Sequence, residues 1–165
     1  MPTLHQDPLV QFFEDEELPN HDLEKGSVFL AGPNGWRTEG VSLLRKYGFN
    51  GWIYCPEPRE TNGPIQQSWE YMDRWESLRL IEEATSAEHA IFWTPYSTKR
   101  APGILNFEYK FELQVRMRRI MPSKWGTGKL FVGSVDGSFM SEVFRETYSS
   151  LDTLCATLVA VRNHG

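Results

Sequence analysis

Apolar positions fall along this chain in short continuous runs that alternate with segments of helical spacing. Ser27–Ala31 is an apolar run ending in Gly32-Pro33, which reads as a buried strand entering a turn. From Trp36 to Tyr47, the residues Trp36, Val41, Leu43, Leu44 and Tyr47 fit a helix closed by Gly48. Gly51 to Cys55 predicts the next strand, stopped by Pro56 and Pro58. From Ser68, the series Trp69, Met72, Trp75, Leu78 or Arg79, and Ile81 predicts a helix ending near residues 84–86. Ala90 to Trp93 is apolar throughout and predicts a central strand. Phe107, Phe111, Val115 and Arg118 or Arg119 share helical spacing within 105–120, Lys129 to Gly133 predicts a fourth strand, and 139–162 reads as one or two closing helices.

Strand and helix alternate with short connections, which predicts right-handed crossovers and a parallel sheet covered on both faces. The fold class is α/β, a three-layer sandwich. Residues 1–26 are acidic and irregular, with Glu14-Asp15-Glu16-Glu17 before Pro19-Asn20, and read as a loose arm ahead of one domain over 27–165.

Composition narrows the function classes. The 165 residues are 40% hydrophobic and 24% charged, as in a folded globular chain. A net charge of −5 argues against a surface built for a phosphate backbone, so no nucleic-acid partner is expected. The basic group Arg116, Arg118, Arg119 and Lys124 reads as the C-terminal end of a helix. Cys55 and Cys155 lie among apolar neighbours and read as buried free thiols. The four histidines show no ligand spacing, so no metal is expected. With no run of membrane-spanning length and no charged-then-apolar leader, a cytosolic protein without a membrane partner is the simplest expectation.

In a parallel sheet, ligands bind beyond the carboxyl ends of the strands. Four stretches qualify: Gly32 to Arg37, Pro56 to Arg59, Trp93 to Asn106, and Gly133 to Gly137. The first lacks both the dinucleotide-binding glycine fingerprint and the P-loop lysine pattern, so neither a nicotinamide cofactor nor ATP is expected. Glu108 stands early in its helix, where the dipole favours an ionised carboxylate. Its pattern fits a nucleophile or a capping partner of Asn106. Glu70 and Glu76 each follow a tryptophan, an environment that raises a carboxyl pKa and suits a general acid, although a solvated helix face fits as well. Glu57 would accept hydrogen bonds from a hydroxylated ligand or sit in a solvated turn. Trp36, Trp69, Trp75 and Trp93 are numerous enough for a base-stacking wall, though core packing is the commoner fate. Arg37 would hold a phosphate or pair with Glu39.

Seven motifs occur in order: Val28-Phe29-Leu30-Ala31-Gly32-Pro33, Trp36-Arg37, Gly48-Phe49-x-Gly51, Tyr54-x-Pro56-Glu57, Trp75-Glu76, Phe92-Trp93-x-Pro95 and Asn106-x-Glu108. Together, over residues 27–135, the chain resembles the nucleoside 2-deoxyribosyltransferase-like family. The resemblance implies a doubly wound sheet of flavodoxin- or Rossmann-like type. It also implies cleavage of the N-glycosidic bond of 2′-deoxynucleosides, with transfer of deoxyribose to another base or to water. By that resemblance Glu108 is the nucleophile that forms a covalent glutamyl-deoxyribose intermediate, and Glu76 is the acid, with Glu70 its rival. Gly32, Pro33 and Trp36 would wall the base or sugar, and Glu57 and Asn106 would bind deoxyribose hydroxyls. Arg37 and Trp93 complete the expected substrate-binding set. Glu88 stands where relatives carry aspartate. The chain departs from the family pattern at Ala101-Pro102, where some relatives place an aspartate, and at Tyr109-Lys110, where a glycine usually follows the nucleophile.

The resemblance implies no cofactor, a nucleoside or nucleotide as small-molecule partner, and a homo-oligomer in which residues 125–139 reach a neighbour's pocket. Two alternatives remain. One is a hydrolase of deoxynucleoside monophosphates or NAD, with Arg37, Arg59 or Lys99-Arg100 holding the phosphate. The other is a nucleotide-sensing module without turnover.

Overall fold

Five strands form one sheet in which every pair is parallel, in the order β1-β3-β2-β4-β5. The computed structural model describes residues 7–18, 26–32, 35–60, 65–80, 88–94, 113–118, 130–134 and 148–164. The strands are β1 (Val10–Gln11), β2 (Ser27–Ala31), β3 (Trp52–Tyr54), β4 (His89–Thr94) and β5 (Leu130–Ser134). The helices are α1 (Arg37–Lys46), α2 (Trp69–Leu80), α3 (helical over the described residues 113–118) and α4 (Leu151–His164).

Side chains alternate across a strand, and this period sorts the core into two layers. Val28 and Leu30 of β2, Ile53 of β3, Ile91 and Trp93 of β4 and Phe131 of β5 pack on one face with Val41 and Leu44 of α1 and Leu154, Leu158 and Val159 of α4. The intervening residues Phe29, Ala31, Tyr54, Ala90, Phe92, Leu130 and Val132 face Trp75 and Leu80 of α2 and Val115 of α3. With both faces covered, β2 and β4 are buried along their whole length, which is why they read as unbroken apolar runs. The α/β sandwich is thereby established. β4 is interior, between β2 and β5, while β2 holds the middle position.

Local chemistry sets the boundaries. α1 stops where Gly48 N–H donates to the Arg45 carbonyl and Phe49 N–H to that of Leu44, a Schellman closure with Phe49 buried beside it. Of the helix expected over 105–120, residues 113–118 are described, with Gln114 Nε2 donating to the Leu80 carbonyl at 3.0 Å to tie α3 to α2. Residues 139–147 of the expected closing helices lie outside the described residues. α4 carries Leu151, Leu154, Cys155, Leu158 and Val159 as a buried helical stripe.

The acidic leader is not loose over residues 7–18. Val10 pairs with Ile53 and Gln11 with Tyr54, which makes it an edge strand of the sheet, and Phe12 and Phe13 are buried. Leu9 to Phe13 is a largely apolar stretch, broken by Gln11 and too short to register against the acidic residues that follow it. Beyond β1 the chain forms a strap held by α2. Tyr71 Oη donates to the Phe13 carbonyl at 2.5 Å, and Trp75 Nε1 donates to that of Asp15 at 3.0 Å. Arg79, with no accessible surface, donates to Gln11 Oε1 at 2.8 Å and to the Asp15 and Glu16 carbonyls at 2.8 and 3.3 Å, while stacking 4.1 Å from the Trp75 ring. Burial lowers the Arg79 pKa to about 10, so the group stays charged at neutral pH. Arg45 anchors the leader's other end through Asp7 at 2.8 Å.

At the far edge, Tyr148 forms an isolated parallel bridge with Gly133, its N–H donating to the Val132 carbonyl at 3.0 Å. A Cβ on Gly133 would run into the Tyr148 carbonyl and stand 2.9 Å from the Trp93 ring. Gly133→Ala is expected to cost about 2–3 kcal/mol in urea unfolding, because both neighbours are built into the core. A loss near zero would mean that the Tyr148 segment shifts aside freely.

Candidate functional site

The chain runs from β2 to β3 on one side and then crosses to β4 on the other, so the direction reverses between β2 and β4. The crevice beyond the carboxyl ends of those strands is where a doubly wound sheet receives its ligand. Gly32 follows β2 there with φ +122°, a backbone region that side chains rarely adopt and that leaves the turn open to close approach.

Arg37 opens α1 beside this turn and is only 4% exposed. Its Nε donates to the Leu30 carbonyl at 3.0 Å, Nη2 to the Gly32 carbonyl, and Nη1 lies 3.3 Å from Glu57 Oε2. The partner of Arg37 is therefore Glu57, twenty positions away in sequence, across the ends of two neighbouring strands. Glu57 is fixed by its backbone as well: its N–H donates to the Cys55 carbonyl at 2.8 Å, and its own carbonyl accepts from Phe13 N–H at 3.0 Å. The result is a half-buried carboxylate with a set orientation at the exit of β3. The neighbouring Cys55 thiol is pushed up to about 12 by burial, with Arg37 opposing, which leaves it protonated and inert as a nucleophile at neutral pH.

Gly32, Arg37 and Glu57 are thus brought together at one pole, joined by the carboxyl end of β4 at Trp93-Thr94. Pro33, Asn106 and Glu108 lie outside the described residues. Trp36 and Trp93, expected on the ligand wall, are buried in the layer shared with α1 and α4, and Trp75 is buried against Phe13 and Phe29. These three indoles occupy inward positions of their elements, where packing claims a large ring. Trp36 lies over Gly40, whose missing side chain makes room for it. Of the four tryptophans singled out, Trp69 is 70% exposed on α2.

The two candidate acids differ in setting. Glu76 is half-buried beside the inward stripe of α2. Glu70 is exposed and lines a groove of about 360 Å³ with Tyr71, Arg74 and strap residue Glu16, a lining that contains none of Gly32, Arg37 and Glu57. Glu88 stands at the amino ends of the strands, the opposite pole, where its N–H donates to Ser27 Oγ at 2.9 Å and its carboxylate faces Arg162 Nε at 3.8 Å. Burial raises its pKa, against the pull of Arg162 and Arg118. It ties α3 and α4 to the sheet and is remote from the crevice. Residues 130–132, within the stretch expected to reach a neighbouring subunit, are core residues of β5.

The strap was not foreseen as part of the site. Arg59, just past Glu57, donates its backbone N–H to both Glu14 carboxylate oxygens at 2.9 and 3.1 Å and pairs its guanidinium with Asp15, 4.9 Å from the Phe12 ring. The sequence signal was the acidic pair Glu14-Asp15 directly after an apolar run. Among the described residues, no group of three or more His, Cys, Asp or Glu is placed to hold a metal, and no helix is long and apolar enough to cross a membrane. No protein-family model, curated protein or solved structure matches the chain.

Proposed function

We propose that this protein cleaves the N-glycosidic bond of 2′-deoxynucleosides in the cytosol and transfers deoxyribose to a second base or to water. The observation that carries the reading is the convergence of Gly32, the Arg37–Glu57 pair and the end of β4 at one switch-point crevice, in the order of the seven motifs. Asn106 and Glu108 follow β4 in sequence.

The chemistry follows from the residue types. A Glu108 carboxylate oxygen attacks the anomeric carbon as the bond to the base breaks, with the electron pair leaving on the base nitrogen. Glu76 donates a proton to the departing base. A nitrogen of the second base, or water, then attacks the same carbon and releases Glu108, while the Glu76 carboxylate takes the proton that the nucleophile loses. Glu57, held by Arg37, accepts a hydrogen bond from a sugar hydroxyl, and an acceptor so fixed orients the ring without reorganising during reaction.

The test is incubation of the purified chain with each 2′-deoxynucleoside, with and without a second free base, followed by chromatography. Base exchange is expected. Free base and deoxyribose alone would make it a hydrolase, and absence of product with every deoxynucleoside would sink the reading.

A further inference from the structure

Glu57 and Glu76 have separate tasks in the proposed reaction and stand on separate elements, the exit of β3 and α2. The strap from Phe12 to Glu16 is bonded to both. We infer that the strap sets the place of Glu76 relative to Glu57, with Tyr71 as the positioning residue, acting through the Phe13 backbone that Tyr71 and Glu57 share. This inference rests on the proposed function and deepens it by naming the part that aligns its two carboxyl groups.

On the β3 side, the strap carries the parallel ladder past the strand ends. The Gln11 carbonyl accepts from Cys55 N–H at 2.8 Å, and two residues further on Phe13 N–H donates to the Glu57 carbonyl at 3.0 Å. Beyond Glu57, Arg59 N–H donates to the Glu14 carboxylate and the Arg59 guanidinium pairs with Asp15. The backbone on either side of Glu57 is thus held by the strap, while Arg37 holds its carboxylate. On the α2 side, Tyr71 Oη donates to the Phe13 carbonyl at 2.5 Å. Trp75 Nε1 and Arg79 Nη2 both donate to the Asp15 carbonyl, at 3.0 and 2.8 Å. Glu76 lies between Trp75 and Arg79 in sequence, so these bonds fix where it stands.

The link through Phe13 is short and stiff. Only the φ and ψ of Phe13 separate its bond to Glu57 from its bond to Tyr71. Its buried ring meets Trp75 edge-on, with centroids 5.3 Å apart, which restrains both angles. Tyr71 packs its ring against the same layer, so its hydroxyl is the one part of the side chain given over to the strap. Burial raises the Tyr71 pKa, Glu16 adding to it and Arg79 opposing, so the hydroxyl remains a donor at neutral pH. A general acid acts only from hydrogen-bond reach of the atom it protonates, and a displacement of about 1 Å is enough to cost up to 10²-fold in rate.

The experiment measures kcat and KM of the full chain for a 2′-deoxynucleoside in wild type, Tyr71→Phe, Glu76→Gln and the variant carrying both changes. Phenylalanine keeps the packed ring and removes the hydroxyl. Tyr71→Phe is expected to lower kcat about tenfold and to move KM by less than about twofold, because Arg37 still holds the Glu57 carboxylate. On the Glu76→Gln background the same change should cost nothing further, since no acid is left to align. Losses that multiply, or a kcat unmoved by Tyr71→Phe, would overturn the inference and leave the functional reading standing. No turnover by wild type would remove the functional reading and the inference with it. The strap link is also read apart from any reaction, by native-state hydrogen exchange. In Tyr71→Phe the Phe13 amide is expected to exchange about tenfold faster, while the Ile53 amide, bonded to the Leu9 carbonyl at 2.9 Å, keeps its rate. Equal acceleration at both amides would mean a loss of global stability, and no change at Phe13 would mean no link; either result overturns the positioning role.

Discussion

Glu108→Gln is expected to lower base exchange by a factor on the order of 10³ or more, because the substitution removes the charge that attacks the anomeric carbon and keeps the shape. A carboxamide cannot form the covalent intermediate, so no deoxyribose should remain attached to the variant under mass spectrometry. Affinity for the nucleoside should change little, since a nucleophile contributes mainly to the transition state. Glu76→Gln should behave differently: its loss should shrink when the departing base is a good leaving group that needs no proton. Substantial exchange by Glu108→Gln would remove this residue from the chemistry. Ligand binding by both forms, with turnover by neither, would instead identify a sensor.

Arg79→Ala is expected to destabilise the fold by about 3–5 kcal/mol, read as a lower urea midpoint at unchanged slope. Arg79 is buried and satisfies Gln11 Oε1 and the carbonyls of Asp15 and Glu16, with its plane against Trp75. Alanine leaves these acceptors without a donor and opens a void under the strap. Arg79→Lys should recover only part of the loss, because an ammonium cannot reproduce the planar fork or the stacking. The strap should also become sensitive to proteases near Glu14 to Glu17. A cost below about 1 kcal/mol would mean that water replaces the guanidinium without difficulty.

The readable parts of this fold are those where burial and periodicity agree. β2 and β4 are apolar on both faces, and α1 carries its stop signal in Gly48-Phe49, so their positions followed from sequence. β1 did not, because a two-residue strand inside an acidic stretch contributes almost nothing to any window average. Spacing left Leu78 and Arg79 as alternatives for the inward position of α2, and a charged residue took it because the strap supplies its acceptors. That compensation comes from residues some sixty positions away, beyond any local pattern. At the site, resemblance drew Arg37 and Glu57 to the ligand without pairing them with each other, since only the sheet order makes neighbours of the exits of β2 and β3. Tryptophan count left a stacking wall and the commoner core packing both open, because a ring's facing depends on strand parity and helix phase. Those put Trp36, Trp75 and Trp93 inside.

The Gly133–Tyr148 bridge also bears on how this chain meets its own copies. A sheet grows by adding strands where backbone donors and acceptors stand unpaired along an edge. On the β5 side the chain's own Tyr148 backbone already claims Val132 and Gly133, while β1 on the other side is two residues long and followed by a strap folded onto α2. Among the described residues, the β1 margin is too short to template a strand and the β5 margin is closed at Val132 and Gly133. Association through helices and loops would leave the hydrogen-bonding of the sheet unchanged.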